Sequence, residues 1–561
     1  MFRKFIFSVL FIFLLSLLVR IAFLDRIPSG ITNDEMDYIL NAKSVFLSGS
    51  DISHTWNPFT FTIPKSGNFQ AEIAPLLTFW LVGPLPLSMF TSKLIYALFG
   101  AGTVGLLFLI TKKMIGEKEA FIVGLVGVFN PWLIFFGRSA YDASLAIFFF
   151  LLSFYFLLIF KSRKILLVFP TFFIAFFSYA GTKLILLPFS LVTIIFAWYN
   201  NKKDMKQYVI IFALCVSLVV FYAFSILHTS GSRINELATP NMQSIATTVN
   251  GERRLSINTL LTPVFSNKYV VYGKYALDKY FNAFSPSFLF LNGDGKNQFS
   301  LWYHGAFYYL DAFFLFLGFF VLFSRNKKAF FILLSLVLIS PIPSILSTVG
   351  NSYAVRSMLL APLLIIFIGV GISYTLNKHI FAKYIIFGLY LILILNFFNI
   401  YFLRNPIYNS ESFTFSGREL AKYLSFQSSN VYVVNENPRI PYEQYLFYNN
   451  ILNAKTMNKV ASDYRNKSFL INNIHFIKCS QIKDIPQGKI IIYDDCKNIT
   501  SSNKDLVIAQ LSDAGRILTI KNDVKCGTYN IGVYPKGITF SDLNVERLSE
   551  KSFCETFITK Y

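Results

Sequence analysis

Three carboxylates lie close together just after the first long apolar run of the chain, at Asp34, Glu35 and Asp37. Thr32 or Asn33 can cap a helix that starts there, and helical periodicity then places Asp34 and Asp37 on one face. Acidic residues in a first turn also complement the helix dipole. The stretch alone therefore indicates either reactive carboxylates or a solvated helix start that Gly49 would end.

Isolated cations and one further carboxylate recur near the ends of the apolar runs. The residues concerned are Arg20, Lys93, Arg138, Asp142, Lys183 and Arg356. For any single cation, snorkelling toward lipid headgroups is the alternative interpretation. Together with the acidic stretch, they suit a lipid-linked phosphate, because cations hold the anion while a carboxylate accepts a proton.

The elements that must position these residues are membrane helices. The chain has 561 residues, 64 of them Phe, and its mean hydropathy is +0.52. Its formal charge of +21 is concentrated in short clusters between apolar runs, which is typical of cytoplasmic loops and argues against nucleic-acid binding. The first apolar run continues to about Leu24, so we expect a retained span and not a cleaved signal peptide.

Apolar runs of spanning length predict about eleven membrane helices. They cover residues 5–24, 92–111, 119–136, 142–160, 165–181, 184–200, 207–227, 307–324, 329–347, 357–376 and 384–403. Every second connection is short and basic and is expected in the cytoplasm. The loops 25–91 and 228–306 then face outward, with Pro75–Leu87 as an interfacial or re-entrant segment. Tyrosines, Trp302 and His304 in the second loop favour an aromatic interface belt, although sugar stacking is compatible with them.

A change in composition near residue 405 predicts a second domain. Residues 1–404 form the membrane module, and residues 405–561 are expected to form an extracytoplasmic α/β domain with β-rich runs such as Val431–Val434. Four of the five cysteines lie in this second domain. The shortest loops pair Cys479 with Cys496 and Cys526 with Cys554, with zinc binding as the weaker alternative.

The order of several motifs resembles a known family over about residues 5–376. The motifs are Asn33-Asp34-Glu35, Pro75-Leu76-Leu77, Asn130-Pro131-Trp132, Arg138-Ser139-Ala140-Tyr141-Asp142, Ser178-Tyr179 and Pro341-Ile342-Pro343 with Arg356. This pattern resembles the family 39 glycosyltransferases of the GT-C superfamily. That family includes protein O-mannosyltransferases and aminoarabinose transferases, which use polyprenyl-phosphate sugars as donors.

The resemblance implies an inverting transferase with its active site away from the cytoplasm. By that resemblance, Asp34 is the general base and Glu35 orients the site, while Glu72 is the second acidic position, which contacts acceptor or metal. Arg138 and Arg356 hold the donor phosphate. The remaining residues assigned to the site are Lys183, Lys93 and Arg20 on the donor phosphate, and Asp142 as another acidic position.

The sequence thus predicts a plasma-membrane enzyme with its N-terminus inside and its C-terminal domain outside. A polyprenyl-phosphate sugar is the expected donor, and a hydroxyl or amine of a protein, lipid or glycan is the acceptor. No cofactor is fixed by the sequence, and a divalent metal near Glu72 stays open. The alternatives are a lipid or glycan transporter or flippase, which predicts polar midspan residues and inverted repeats, and a non-catalytic scaffold.

Overall fold

A computed structural model gives the structure of most of the chain. It describes residues 2–55, 73–228, 242–301, 303–345, 353–378, 381–484, 489–493, 496, 506–511, 518–520, 526, 528–529 and 537–559. The described part is mostly helical, and the helices are numbered here in chain order. The first ten are α1 (Phe2–Ile21), α2 (Asn33–Ser48), α3 (Ala74–Val82), α4 (Met89–Met114), α5 (Glu117–Phe129), α6 (Pro131–Phe136), α7 (Asp142–Ile159), α8 (Val168–Ser178), α9 (Thr182–Asn200) and α10 (Met205–His228).

The later helices include both long apolar rods and short turns. They are α11 (Met242–Arg254), α12 (Thr262–Phe265), α13 (Lys268–Asn282), α14 (Tyr309–Arg325), α15 (Lys327–Ile339), α16 (Ile342–Ile345), α17 (Tyr353–Arg356), α18 (Leu360–Lys378), α19 (Ala382–Phe398), α20 (Asn405–Tyr408), α21 (Phe415–Ser425), α22 (Arg439–Tyr448), α23 (Met457–Asn466) and α24 (Glu550–Phe557). In the middle of the bundle, α18 packs against both α14 and α5.

Seven helices in the described part of the chain are long and apolar enough to cross a membrane. They are Met89–Met114, Asp142–Ile159, Thr182–Asn200, Lys202–Phe224, Lys327–Ile345, Leu360–Lys378 and Lys383–Tyr408. The protein is therefore an integral membrane protein. Three of the other four predicted spans correspond to helices of 17 residues or fewer, such as α14, which is about 25 Å long. The fourth is α1, whose apolar part is Ile6–Ile21.

The break in the predicted span 119–136 has a local cause. Asn130 separates α5 from α6 with an extended backbone, at φ −67° and ψ 126°. The proline that follows, Pro131, disfavours helical geometry in the residue before it. The Asn130 side chain then accepts a hydrogen bond from the Leu133 amide at 2.9 Å and caps the new helix.

Helix α2 has the ends expected from the sequence. Thr32 caps it, and the Thr32 side chain and amide exchange hydrogen bonds with Glu35 in a capping box. Gly49 ends it at φ +73°, a left-handed conformation that glycine adopts at little cost. After it, the nine-residue α3 lies in the segment predicted to be interfacial, and it is too short to cross a bilayer.

The C-terminal part contains a mixed sheet of seven described strands. They are β1 (Val431–Val434), β2 (Phe469–Ile471), β3 (Ile474–Ile477), β4 (Lys489–Tyr493), β5 (Leu506–Leu511), β6 (Leu518–Ile520) and β7 (Ile558–Thr559). Their order is β2-β3-β1-β4-β5-β6-β7, and β1 pairs in parallel with β3 and β4. Since parallel strands need crossover connections, α22 and α23 lie between β1 and the β2–β3 hairpin.

The molecule has two hydrophobic cores, and helix α2 belongs to the second of them. One fills the helical bundle and includes Leu107 and Phe367. The other lies beneath the sheet, and it continues through Phe415 and Tyr448 to Met36 and Ile39 of α2. Helix α2 is thus packed between the bundle and the C-terminal part.

The cysteine pairing predicted from loop length is confirmed. Cys479 and Cys496 form one disulfide with their Cα atoms 5.7 Å apart, and Cys526 and Cys554 form the other at 5.3 Å. Cys215 is a free, buried thiol in α10.

Candidate active site

The first turn of α2 lies near the start of α7, and polar side chains of the two helices interact. Asp34 is half-buried there, and its carboxylate lies within electrostatic range of Asp142 and Tyr141. One turn further along α2, the Tyr38 hydroxyl donates a hydrogen bond to the Asp142 carboxylate at 2.9 Å. The spacing of four residues puts Asp34 and Tyr38 on the same side of the helix.

Two cations from other helices interact with the same group of side chains. The Arg356 guanidinium donates a hydrogen bond to the Tyr179 hydroxyl, and the charges of Asp34 and Asp142 also act on that hydroxyl. Lys183 at the start of α9 acts electrostatically on Asp142. Helices α2, α7, α9 and α17 thus bring two carboxylates and two cations into one polar cluster.

Arg356 is held in place by a carboxylate that the sequence reading missed. Asp294 accepts hydrogen bonds from the amides of Ala354, at 2.6 Å, and Lys296, at 3.0 Å, and its charge acts on Arg356. It therefore anchors the short helix α17 that carries the arginine. Burial raises the pKa of Asp294 to about 6, although the backbone amides and Arg356 favour its ionised form. Its position between two glycines, in Gly293-Asp294-Gly295, was the available sequence signal.

Glu35 has a different environment from Asp34. It is fully buried, and one carboxylate oxygen accepts hydrogen bonds from the amide and hydroxyl of Thr32 at 2.9 and 3.0 Å. The other oxygen accepts a hydrogen bond from the Ala140 amide at 2.5 Å. Glu35 therefore joins the start of α2 to the 137–141 loop and fixes the orientation of both.

Arg138 is fully buried and surrounded by acceptors of the chain itself. Its guanidinium donates to the carbonyls of Val19, Arg20 and Ile27 at 3.1, 2.7 and 2.9 Å, and to the Tyr401 hydroxyl at 3.2 Å. It also lies over the Tyr401 ring at 5.4 Å. Five donors in a fixed fork make arginine suited to this role. The residue ties the beginning of the first loop to the end of α6.

Arg20 and Lys93 are likewise fully buried. Arg20 donates to the Ser16 hydroxyl at 2.5 Å and to the Gly127 carbonyl at 3.4 Å. The Lys93 ammonium donates to the Gly30 carbonyl at 2.9 Å. The structure thus brings Arg356, Lys183 and Asp142 to Asp34, and it places Arg138, Arg20 and Lys93 in the supporting framework.

The metal hypothesis concerned Glu72, which lies outside the described residues. Within the described ranges, no group of three or more His, Cys, Asp or Glu side chains is placed to hold a metal ion. Asp142, the other acidic candidate, accepts hydrogen bonds from Tyr38 and from the Ala143 amide at 2.9 Å each.

The C-terminal part is hydrogen-bonded to the segment that precedes Asp34. Arg418 of α21 is fully buried and donates to the Ser29 carbonyl at 2.6 Å and to the Asp25 carbonyl at 3.4 Å. It also makes two bonds to the Glu546 carboxylate, at 2.6 and 2.5 Å. Gly30 lies so close to this part that an added Cβ would overlap the Phe413 carbonyl. Only glycine fits there.

A second contact with the C-terminal part involves the face of α2 that carries Asp34. Asp37 forms an ion pair with Arg439 of α22 at 3.4 Å, and Arg439 also pairs with Glu443 at 3.3 Å. Nearby, the Ile31 amide donates to the Tyr448 hydroxyl at 3.2 Å. Residues 25–37 are therefore held at several points by residues about 400 positions later.

No family model and no curated protein matches the chain. Its structure is similar to that of ArnT from Cupriavidus metallidurans bound to undecaprenyl phosphate, with a TM-score of 0.41 and 11% identity over 83% of this chain and 77% of that one. It is also similar to the oligosaccharyltransferase AglB from Archaeoglobus fulgidus, in complex with an inhibitory peptide and a dolichol-phosphate.

The AglB match has a TM-score of 0.46 and 11% identity, and it covers 80% of this chain and 64% of that one. The chain resembles these two transferases. At such identities and TM-scores the similarity assigns no activity to this chain, so the assignments that follow depend on its own residues.

Proposed function

We propose that the protein is a membrane glycosyltransferase that moves a sugar from a polyprenyl-phosphate donor to an acceptor hydroxyl or amine, with inversion. The observation that carries this proposal is the cluster of Asp34, Asp142, Lys183 and Arg356 at one end of the bundle. It combines a carboxylate that is only half-buried with two cations.

In the proposed step, the acceptor oxygen or nitrogen attacks the anomeric carbon of the donor. The bond from that carbon to the phosphate oxygen breaks, and its electron pair stays on the phosphate. Asp34 takes the acceptor proton as the general base. Because a phosphate leaves as a stable anion, the step needs cationic stabilisation more than a general acid.

The donor phosphate is assigned to Arg356 and Lys183. Arg356 is half-buried and bonds the Tyr179 hydroxyl. Lys183 is also half-buried, donates to the Phe176 and Tyr179 carbonyls at 3.2 and 3.4 Å, and adds a second positive charge that acts on Asp142. Arg138, Arg20 and Lys93 take positioning roles in this proposal, because their buried donors bind carbonyl and hydroxyl oxygens of the chain. In this proposal Arg138 and Lys93 position the first loop, Arg20 joins α1 to α5, and none of the three contacts phosphate.

The topology of the proposal follows the charge of the loops. We propose that residues 1–404 form the membrane module, with the shorter helices completing about eleven crossings, and that residues 405–561 form an extracytoplasmic domain. Asp34, Arg356 and the C-terminal part then lie outside the plasma membrane. A protein, lipid or glycan acceptor would enter from that side, and no step is routed through a metal.

The experiment that tests the proposal is a transfer assay with purified protein and a panel of polyprenyl-phosphate sugars. Arg356→Ala should weaken donor binding by about tenfold to a hundredfold, because one charge-assisted hydrogen bond is worth about 1.5–3 kcal/mol. Arg404→Ala, which removes an exposed arginine at the end of another span, is the matched control and should bind donor normally. Normal donor binding by Arg356→Ala would refute the phosphate assignment.

A further inference from the structure

Between α10 and α14 the chain forms a hairpin whose tip is apolar and uncovered within the described part of the chain. The tip comprises residues 255–265, between α11 and α13. Leu255, Ile257 and Leu260 are 91%, 86% and 96% exposed, and Leu261 and Phe265 are also exposed. Contiguous exposed apolar surface of this kind marks an interaction site.

Contacts between its two arms hold the hairpin together below the tip. The Arg253 guanidinium donates to the Ser266 carbonyl at 2.8 Å, and Lys274 pairs with Glu252 at 3.2 Å, which ties α11 to α13. Asn267 caps α13 by accepting hydrogen bonds from the amides of Tyr269 and Val270. The structure therefore holds the apolar side chains out in a fixed geometry.

The root of the hairpin shows where the tip lies along the bundle. The Tyr280 hydroxyl of α13 donates to the Leu338 carbonyl at 2.8 Å, at the end of the span Lys327–Ile345 that is opposite its lysines. Helix α13 also packs against α16. The hairpin thus lies at the level where that span leaves the bilayer, on the end of the bundle that carries Arg356.

The positive charge of the hairpin indicates what its apolar tip binds. Residues 242–282 contain five basic and two acidic side chains, and Arg253 and Arg254 immediately precede the tip. Exposed leucines flanked by arginines are the composition of elements that insert into anionic lipid surfaces. We propose that the tip inserts into the lipid leaflet at the Arg356 end of the bundle, with its basic residues at the headgroups.

Insertion would also set the height of the donor site, a consequence that depends on the proposed function. The Asp278 carboxylate of α13 acts electrostatically on Tyr353, three residues before Arg356. A hairpin fixed in the leaflet would hold α17 at the level of the lipid headgroups, where a lipid-linked phosphate lies.

Insertion can be measured without activity, on the full-length protein in vesicles that contain anionic phospholipid. A nitroxide is attached to Leu260→Cys, and its collision rates with oxygen, which partitions into lipid, and with a water-soluble nickel chelate are compared. Leu395→Cys, at a site 57% exposed on a span, is the lipid control, and Ser428→Cys, at an exposed site of the C-terminal part, is the water control. Protein without an added cysteine gives the background from buried Cys215.

The proposal predicts oxygen and nickel accessibilities at Leu260 like those of the Leu395 label. Values like those of the Ser428 label would overturn it. Dipolar broadening that disappears when unlabelled protein is added would show a second copy at the tip and would also overturn it.

The link to the donor site has a separate test. Leu260→Asp should raise the KM for a long-chain polyprenyl donor several-fold and leave the KM for a short-chain, water-soluble donor unchanged. Equal effects on both donors would refute the link. If the wild-type protein transferred neither donor, the proposed function would fail while the nitroxide result would still decide insertion.

Discussion

The hydrogen bonds from Arg418 to the first loop allow the best estimate of the free energy lost when a contact is removed. Arg418→Ala leaves the buried Ser29 carbonyl without its donor, which costs about 1–3 kcal/mol. It also strands Glu546, but that carboxylate side chain is 32% exposed, so water recovers part of the loss. The total should lie near 3 kcal/mol, at the lower end of the cost of breaking a buried ion pair, about 3–5 kcal/mol.

A loss of 3 kcal/mol corresponds to an increase of about a hundredfold in the opening equilibrium of the contact. Hydrogen exchange of peptides covering residues 25–37 measures this opening, since the Ile31 amide is bonded to Tyr448 in the closed state. Arg418→Ala should therefore accelerate exchange there by up to about a hundredfold, and turnover should fall as Asp34 loses its fixed position. Arg547→Ala, at the exposed neighbour of Glu546, is the control. Unchanged exchange in Arg418→Ala would refute the positioning role of the C-terminal part.

Three further outcomes are expected. Folding raises the Asp294 pKa from 3.8 to about 6, so its contribution to stability is complete below pH 3.8 and is lost as the pH rises through 6. The Tm of the wild type in detergent should therefore fall over that pH range. The Tm of Asp294→Asn should not show this fall. Tyr38→Phe removes one hydrogen bond to Asp142 and should lower turnover. The free energy of unfolding should fall by no more than about 1 kcal/mol, so the Tm should change little. Non-reducing peptide mapping should recover Cys479 with Cys496 and Cys526 with Cys554, and any other pairing would contradict the structure.

Local features of the sequence predicted local structure well. Thr32, Glu35 and Gly49 are the residue types that begin and end a helix, and α2 has those ends. The cysteine pairs followed from loop length. The Asn130-Pro131 break could also have been read from the sequence, because proline restricts the residue before it. The break was not predicted because residues 119–136 are apolar over a length that can span a membrane.

The roles of the cations could not be predicted in this way. Arg20, Lys93 and Arg138 are cations near the ends of apolar runs, as Arg356 is, yet they are fully buried and donate to carbonyl groups up to about 120 positions away. The hydrogen bond from Arg418 to the Ser29 carbonyl joins residues 389 positions apart. A sequence shows where a charge stands along the chain, whereas its role depends on which acceptors the fold brings to it.

The central claim is that the Asp34 carboxylate takes the acceptor proton, and Asp34→Asn tests it most directly. The variant keeps shape and hydrogen bonding but removes the proton acceptor, so transfer should fall by about a hundredfold or more while donor binding is retained. Asp37→Asn, on the same face of α2, is the matched control. It loses the ion pair with Arg439 but no reacting group, so its loss should be much smaller. Near-normal turnover in Asp34→Asn, or equal losses in both variants, would contradict the account.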